Sequence, residues 1–145
     1  MHYSGRSEIV ATPDRIFPFV VDLTRLGPCV PVPIKRVDDT HYRALAQVGS
    51  GMFGMTIGID LSVEDVVANS SAKILASGGA SGTKVASTIA VALSPGSIGG
   101  TTAVDWQVDI DVTGGFASAA SRVIEEHAQD AIDQLIGCIQ RQVEG

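Results

Sequence analysis

The sequence predicts an α+β fold in which a strongly curved antiparallel sheet of about seven strands wraps round one long C-terminal helix, with two short helices after the first strand. Three observations carry this. From Ile34 the chain keeps period-two alternation for about eighty residues, the mark of half-buried antiparallel strands. From Gly114 to Glu144 the period changes to three-and-four, with Phe116, Ala119, Ala120, Val123, Ile124, Ala128, Ala131, Ile132, Leu135, Ile136, Ile139 and Val143 on one face. At about 1.5 Å per residue such a helix spans roughly 43 Å, and only a broad curved sheet offers it an apolar bed.

Taken in order, His2 to Val10 alternates, placing Tyr3, Gly5, Ser7 and Ile9 opposite His2, Ser4, Arg6 and Glu8, and reads as a first strand. Thr12 before Pro13 pairs an N-cap residue with proline at the first helical position, and a short helix through Ile16, Phe17 and Phe19 follows. A second helical turn is expected from Asp22 to about Leu26, stopped by Gly27, Pro28, Pro31 and Pro33. Tyr42, Ala44, Ala46 and Val48 form one face of the next strand. After the Gly49 to Gly51 turn, Phe53, Met55, Ile57, Ile59, Leu61 and Val63 alternate with polar residues and glycine. Two more strands are expected at about Ala72 to Ser77 and Lys84 to Leu93, joined by the glycine-rich Gly78 to Gly82. The last strand alternates Val104, Trp106, Val108, Ile110 and Val112 with Asp105, Gln107, Asp109 and Asp111, and runs straight into the helix.

Residues 1–145 read as one domain, with no repeat or linker. Hydrophobic residues make up 45% and charged ones 18%, which excludes disorder. No apolar run approaches the roughly 18 residues a membrane span needs, and no basic segment leads into an apolar one, so a soluble cytoplasmic protein is expected. A net charge of −6 gives no reason to bind nucleic acid and would on average repel anionic lipid. Cys29 and Cys138 are expected to be thiols in a reducing compartment. With aromatics at only 5%, the core is either filled by Val, Ile and Ala or left partly open.

No motif points to a cofactor or metal. Asp105, Asp109 and Asp111 share a strand face, but the second and third lie about 13 and 20 Å from the first, which suits solvation better than coordination. The three histidines lack zinc-ligand spacing, and the glycine turns do not lead from a strand into a helix, as a phosphate cradle requires.

The element order is that of the helix-grip START and birch-pollen-allergen superfamily, which the chain resembles. Within it, Asp22-Leu23-Thr24-Arg25-Leu26-Gly27-Pro28-Cys29-Val30-Pro31, Tyr42-Arg43-Ala44, Val48-Gly49-Ser50-Gly51, Gly78 to Gly82, Gly99-Gly100-Thr101-Thr102, Gly115-Phe116-Ala117 and Ser121-Arg122-Val123-Ile124 fall in the order of the CoxG family of carbon monoxide dehydrogenase proteins. Val32 departs from the glycine usual there, so the loop past Cys29 is expected to differ in shape. The chain stops at Gly145 without the tail and hydrophobic anchor of some members, so no anchor of its own is expected.

The resemblance implies a non-catalytic accessory protein that binds a lipophilic molecule, a quinone or a lipid, and helps recruit a molybdenum hydroxylase of the carbon monoxide dehydrogenase type to the membrane by peripheral contact. The expected cavity lining is Phe17, Leu26 and Cys29 near the short helices, and Tyr42, Met55, Ile57, Ile59, Ile89, Trp106 and Val108 on the sheet. Phe116, Ala120, Val123, Ile124 and His127 are its expected contribution from the long helix. Met52 and Phe53 read either as a greasy flap over the mouth or as the start of the next buried strand face. His127 reads either as a ligand donor or as a satisfied, partly buried histidine. Small Ala44, Ala46 and Ala90 are expected to leave space opposite the helix. The alternative function is an enzyme of the polyketide cyclase or aromatase kind, but the inward faces hold no carboxylate to pair with Tyr42, Cys29 or His127.

Overall fold

The computed structural model describes residues 1–48, 55–80 and 82–144. The strands are β1 (His2–Ile9), β2 (Ile34–Arg36), β3 (His41–Val48), β4 (Met55–Val67), β5 (Ser71–Ala80), β6 (Thr83–Pro95) and β7 (Thr102–Gly114). The helices are α1 (Pro13–Val21) and α2 (Ala117–Glu144), and a 3₁₀ segment spans Leu23–Cys29. All seven strands form one antiparallel sheet in the order β1-β7-β6-β5-β4-β3-β2. The alternation read from the sequence is the observed register: Ile57, Ile59, Trp106, Val108 and Ile110 share the concave side, half-buried, while Thr56, Asp60, Gln107 and Asp109 are exposed on the convex side.

The closed end of the molecule holds the core. Ile9, Ala11, Ile16, Phe17, Leu23, Tyr42, Val63, Ala72, Ile74, Leu93 and Val143 meet there, and each large side chain so buried contributes roughly 1.5–3 kcal/mol. Tyr42 is 1% exposed and donates its hydroxyl to the Val21 carbonyl at 3.0 Å, while the Arg36 guanidinium lies 5.1 Å from its ring centre. Buried Thr102 donates to the Ala11 carbonyl at 2.7 Å.

Several expectations change. β5 and β6 run through most of the glycine stretch, because Gly78 pairs with Val85 and Gly79 with Lys84; the ladder needs only backbone, so glycine does not stop it. Ala90 shares the convex face with its partners Lys73 and Gln107 and leaves no space under the helix. The 3₁₀ segment reaches Cys29 instead of ending near Leu26, with Asp22 as its N-cap accepting from the Thr24 N–H. α2 begins at Ala117, since Gly114 has φ +108° and a Cβ there would strike the Gly82 carbonyl.

The cysteines are the plainest correction. Cys29 and Cys138 form a disulfide, with Cα atoms 5.5 Å apart across 109 residues of sequence. The expectation of thiols rested on compartment alone; the fold brings the end of the 3₁₀ segment against the last turns of α2. Nearby, Gln140 donates to the Glu8 carbonyl at 3.1 Å and the Glu144 carboxylate accepts from the Val10 N–H at 2.8 Å. α2 packs on the 3₁₀ segment, β7, β1 and α1. Its first turns lean out over the concave face of β4 to β6, and within α2 only Val143 is fully buried.

Candidate functional site

The sheet curves away where α2 starts, and the gap is a cavity of about 610 Å³ lined by Ile57, Ile59, Ala76, Ser77, Gly78, Gly79, Ala80, Thr83, Val85, Ser87, Phe116 and Ala120. Strand alternation points Ile57, Ile59 and Val85 inward. The small residues of β5 make the opposite wall low, so depth comes from absent side chains. Phe116 stands at the rim, 62% exposed, its backbone N–H held by the Thr83 hydroxyl at 3.0 Å. None of these twelve residues is ionisable, so the lining suits an apolar guest and holds no acid–base pair for chemistry.

Of the residues expected to line a cavity, Ile57, Ile59, Phe116 and Ala120 are brought together here. Phe17 and Tyr42 belong to the closed core, with Leu26 and Ile89 packed against it. Trp106, Val108 and Ile124 are half-buried. Cys29 is tied up in the disulfide, which removes it as a nucleophile. Val123 is 57% exposed and His127 is exposed too, because α2 rests on β1 and β7 along a narrower stripe than its apolar residues suggest. Neither reaches the cavity. Met52 and Phe53 lie outside the described residues, as does the side chain of Met55. Sequence reasoning missed Gly78, Gly79, Ala80 and Val85; the signal available was the low side-chain volume of that stretch, read instead as a turn.

Charge collects away from the cavity. Asp22 accepts from the Thr24 hydroxyl and backbone and lies 3.0 Å from Arg36, and these hydrogen bonds with Thr24, ahead of the arginines, hold its carboxyl below the usual carboxylate range. Glu8 is likewise lowered, chiefly by the Ser97 N–H. Both fasten the closed end, Asp22 joining the 3₁₀ segment to β2 and Glu8 joining β1 to the turn before β7. No group of three or more His, Cys, Asp and Glu side chains among the described residues could hold a metal ion.

An apolar cavity between a curved seven-stranded sheet and a long terminal helix directs the comparison with known proteins, and the family profile for CoxG, a carbon monoxide dehydrogenase subunit, matches residues 5–144. The chain belongs to the CoxG family. Among solved structures, a conserved protein from Geobacillus kaustophilus superposes with a TM-score of 0.82 at 18% identity, covering 99% of this chain and 95% of that one. A START superfamily protein from Mycobacterium smegmatis gives 0.64 at 15% identity, covering 99% and 97%. Ara h 8.0201 gives 0.64 at 17% identity, covering 96% and 97%. These likenesses establish the helix-grip fold of the START and pollen-allergen type for this member of the CoxG family. No curated protein matches the chain.

Proposed function

We propose that this CoxG family member is a non-catalytic accessory protein that carries a lipophilic molecule, a quinone or a lipid, in the cavity under the start of α2. In that role it serves a molybdenum hydroxylase of the carbon monoxide dehydrogenase type, bringing it to the membrane by peripheral contact. The observation that supports this reading most is the cavity itself, about 610 Å³ with no ionisable residue in its described lining, within the size range of small-molecule sites. Carriage is favoured over a cyclase or aromatase reaction because the described lining has no carboxylate, histidine, cysteine or lysine to move a proton. Serving an enzyme rests on the family alone. Among the described residues no helix is long and apolar enough to cross a membrane, and the contact proposed here is a peripheral one. Native mass spectrometry of the purified protein, with solvent extraction, is the direct test. A copurified quinone or lipid is expected, and an empty protein that takes up neither from detergent would overturn the reading.

A further inference from the structure

Three of the cavity's described lining residues carry hydroxyls, Ser77, Thr83 and Ser87. Ser77 shares the convex side with its partner Asp60, so Thr83 and Ser87 are the two that face the guest space. Both stand in the inward row of β6 on either side of Val85, and four residues of strand set them about 13 Å apart. The next inward residue of that row, Ile89, already packs against the core, which makes Ser87 the floor of the cavity and Thr83 its rim. Ser87 is half-buried, and its hydroxyl has no hydrogen-bond partner among the described residues. The Thr83 oxygen accepts from the Phe116 N–H at 3.0 Å, and its own proton is left to donate.

Polar groups left open in an otherwise apolar pocket are the ones that orient a guest. Beside them the wall is low, because their partners on β5 are Ala80 opposite Thr83, Gly78 opposite Val85 and Ala76 opposite Ser87, and the ring of Phe116 stands free at the rim. A low wall next to an aromatic face takes a flat guest. We infer that the cavity selects its guest by two oxygens, one met at the floor by Ser87 and one at the rim by Thr83. With no ionisable residue in the described lining, the guest is an uncharged, rigid, flat molecule of the diphenol or polycyclic diol class, its oxygens at opposite ends and about 13 Å apart. This rests on the carrier reading and goes beyond the guests named there, since a prenylated quinone or an acyl ester carries its oxygens at one end and leaves one of the hydroxyls unmet.

The test uses the whole protein and a flat series in which only the number of end oxygens changes: trans-stilbene, its para-hydroxy derivative and its para,para′-dihydroxy derivative, whose oxygens stand about as far apart as the two hydroxyls. Affinity, followed by the probe's own fluorescence, is expected to rise roughly 3- to 10-fold at each step, the value of one neutral hydrogen bond. In Ser87→Ala the second step is expected to vanish, leaving the dihydroxy probe no tighter than the monohydroxy one. Equal affinities across the series, or a second step that survives in Ser87→Ala, overturn the inference and leave the carrier reading standing. A prenyl naphthoquinone and the methyl ester of a sixteen-carbon acid are titrated beside the series. If either binds while no stilbene does, the inference falls alone; if none of the probes binds, the carrier reading falls with it. The series is read on the unaltered protein, so the test survives a variant that fails to fold.

Discussion

At the scale of single residues, Ala120 and Asp22 do different work. Ala120 faces the cavity, so Ala120→Trp is expected to abolish uptake of a prenyl naphthoquinone while leaving thermal melting nearly unchanged. A loss of roughly 1–3 kcal/mol instead would mean an already packed interior. Asp22 has a folded pKa below its unfolded one. Its stabilising effect is therefore full above the ordinary carboxylate pKa and disappears as pH falls from there through the lowered value. Melting midpoints followed from pH 6 downward should fall less steeply in Asp22→Asn than in the unaltered chain; parallel curves would show that the Thr24 and Arg36 contacts are not what acid removes. Tyr42→Phe removes the donor to Val21 and is expected to cost about 1 kcal/mol by urea unfolding, with quinone affinity unchanged. Tyr42 also shows where reading the sequence stopped: alternation correctly turned it inward, but not every inward residue lines the cavity. Depth along the strand separates core from guest space, and depth depends on how α1 and the 3₁₀ segment close one end.

At the scale of elements, strand existence and facing were legible because a period of two leaves little choice of register when one side is buried. The position of α2 was not. Its apolar residues cover a wide arc, and which part of that arc meets the sheet is decided by sheet curvature, which local spacing does not encode; Val123 and His127 face outward for this reason. The disulfide was hidden likewise, since pairing across 109 residues depends on the final fold. Cys29 to Cys138 fastens the C-terminal part of α2, the part already packed, and leaves the turns over the cavity free of any covalent tie. Reduction, or Cys138→Ser, is expected to cost about 2–4 kcal/mol, roughly 5–15 °C in melting midpoint, with little change in quinone affinity. An equally large loss of affinity would place the staple in control of the cavity.

At the scale of the whole molecule, the helix-grip architecture followed from element order alone, since a meander of strands ending in one long amphipathic helix has few ways to bury both faces. Net charge acts at this scale as well. With −6 spread over a small domain, the proposed peripheral membrane contact would be made against average repulsion from acidic head groups. In flotation at low salt the protein is expected to bind neutral phosphatidylcholine vesicles at least as well as vesicles containing phosphatidylserine, and added salt should narrow the difference. Stronger binding to the anionic vesicles would point to a basic patch that the net charge conceals.

The pairing of β1 with β7 also governs how the protein is made. His2 lies opposite Asp109 and Ile9 opposite Thr102, so the first strand leaves the ribosome about a hundred residues before its partner, which at 5–20 residues per second is roughly 5–20 s. Throughout that interval β1 presents an unpaired edge, the surface on which a foreign strand most readily adds. The nascent chain, more than the finished protein, is the form in which that edge lies open.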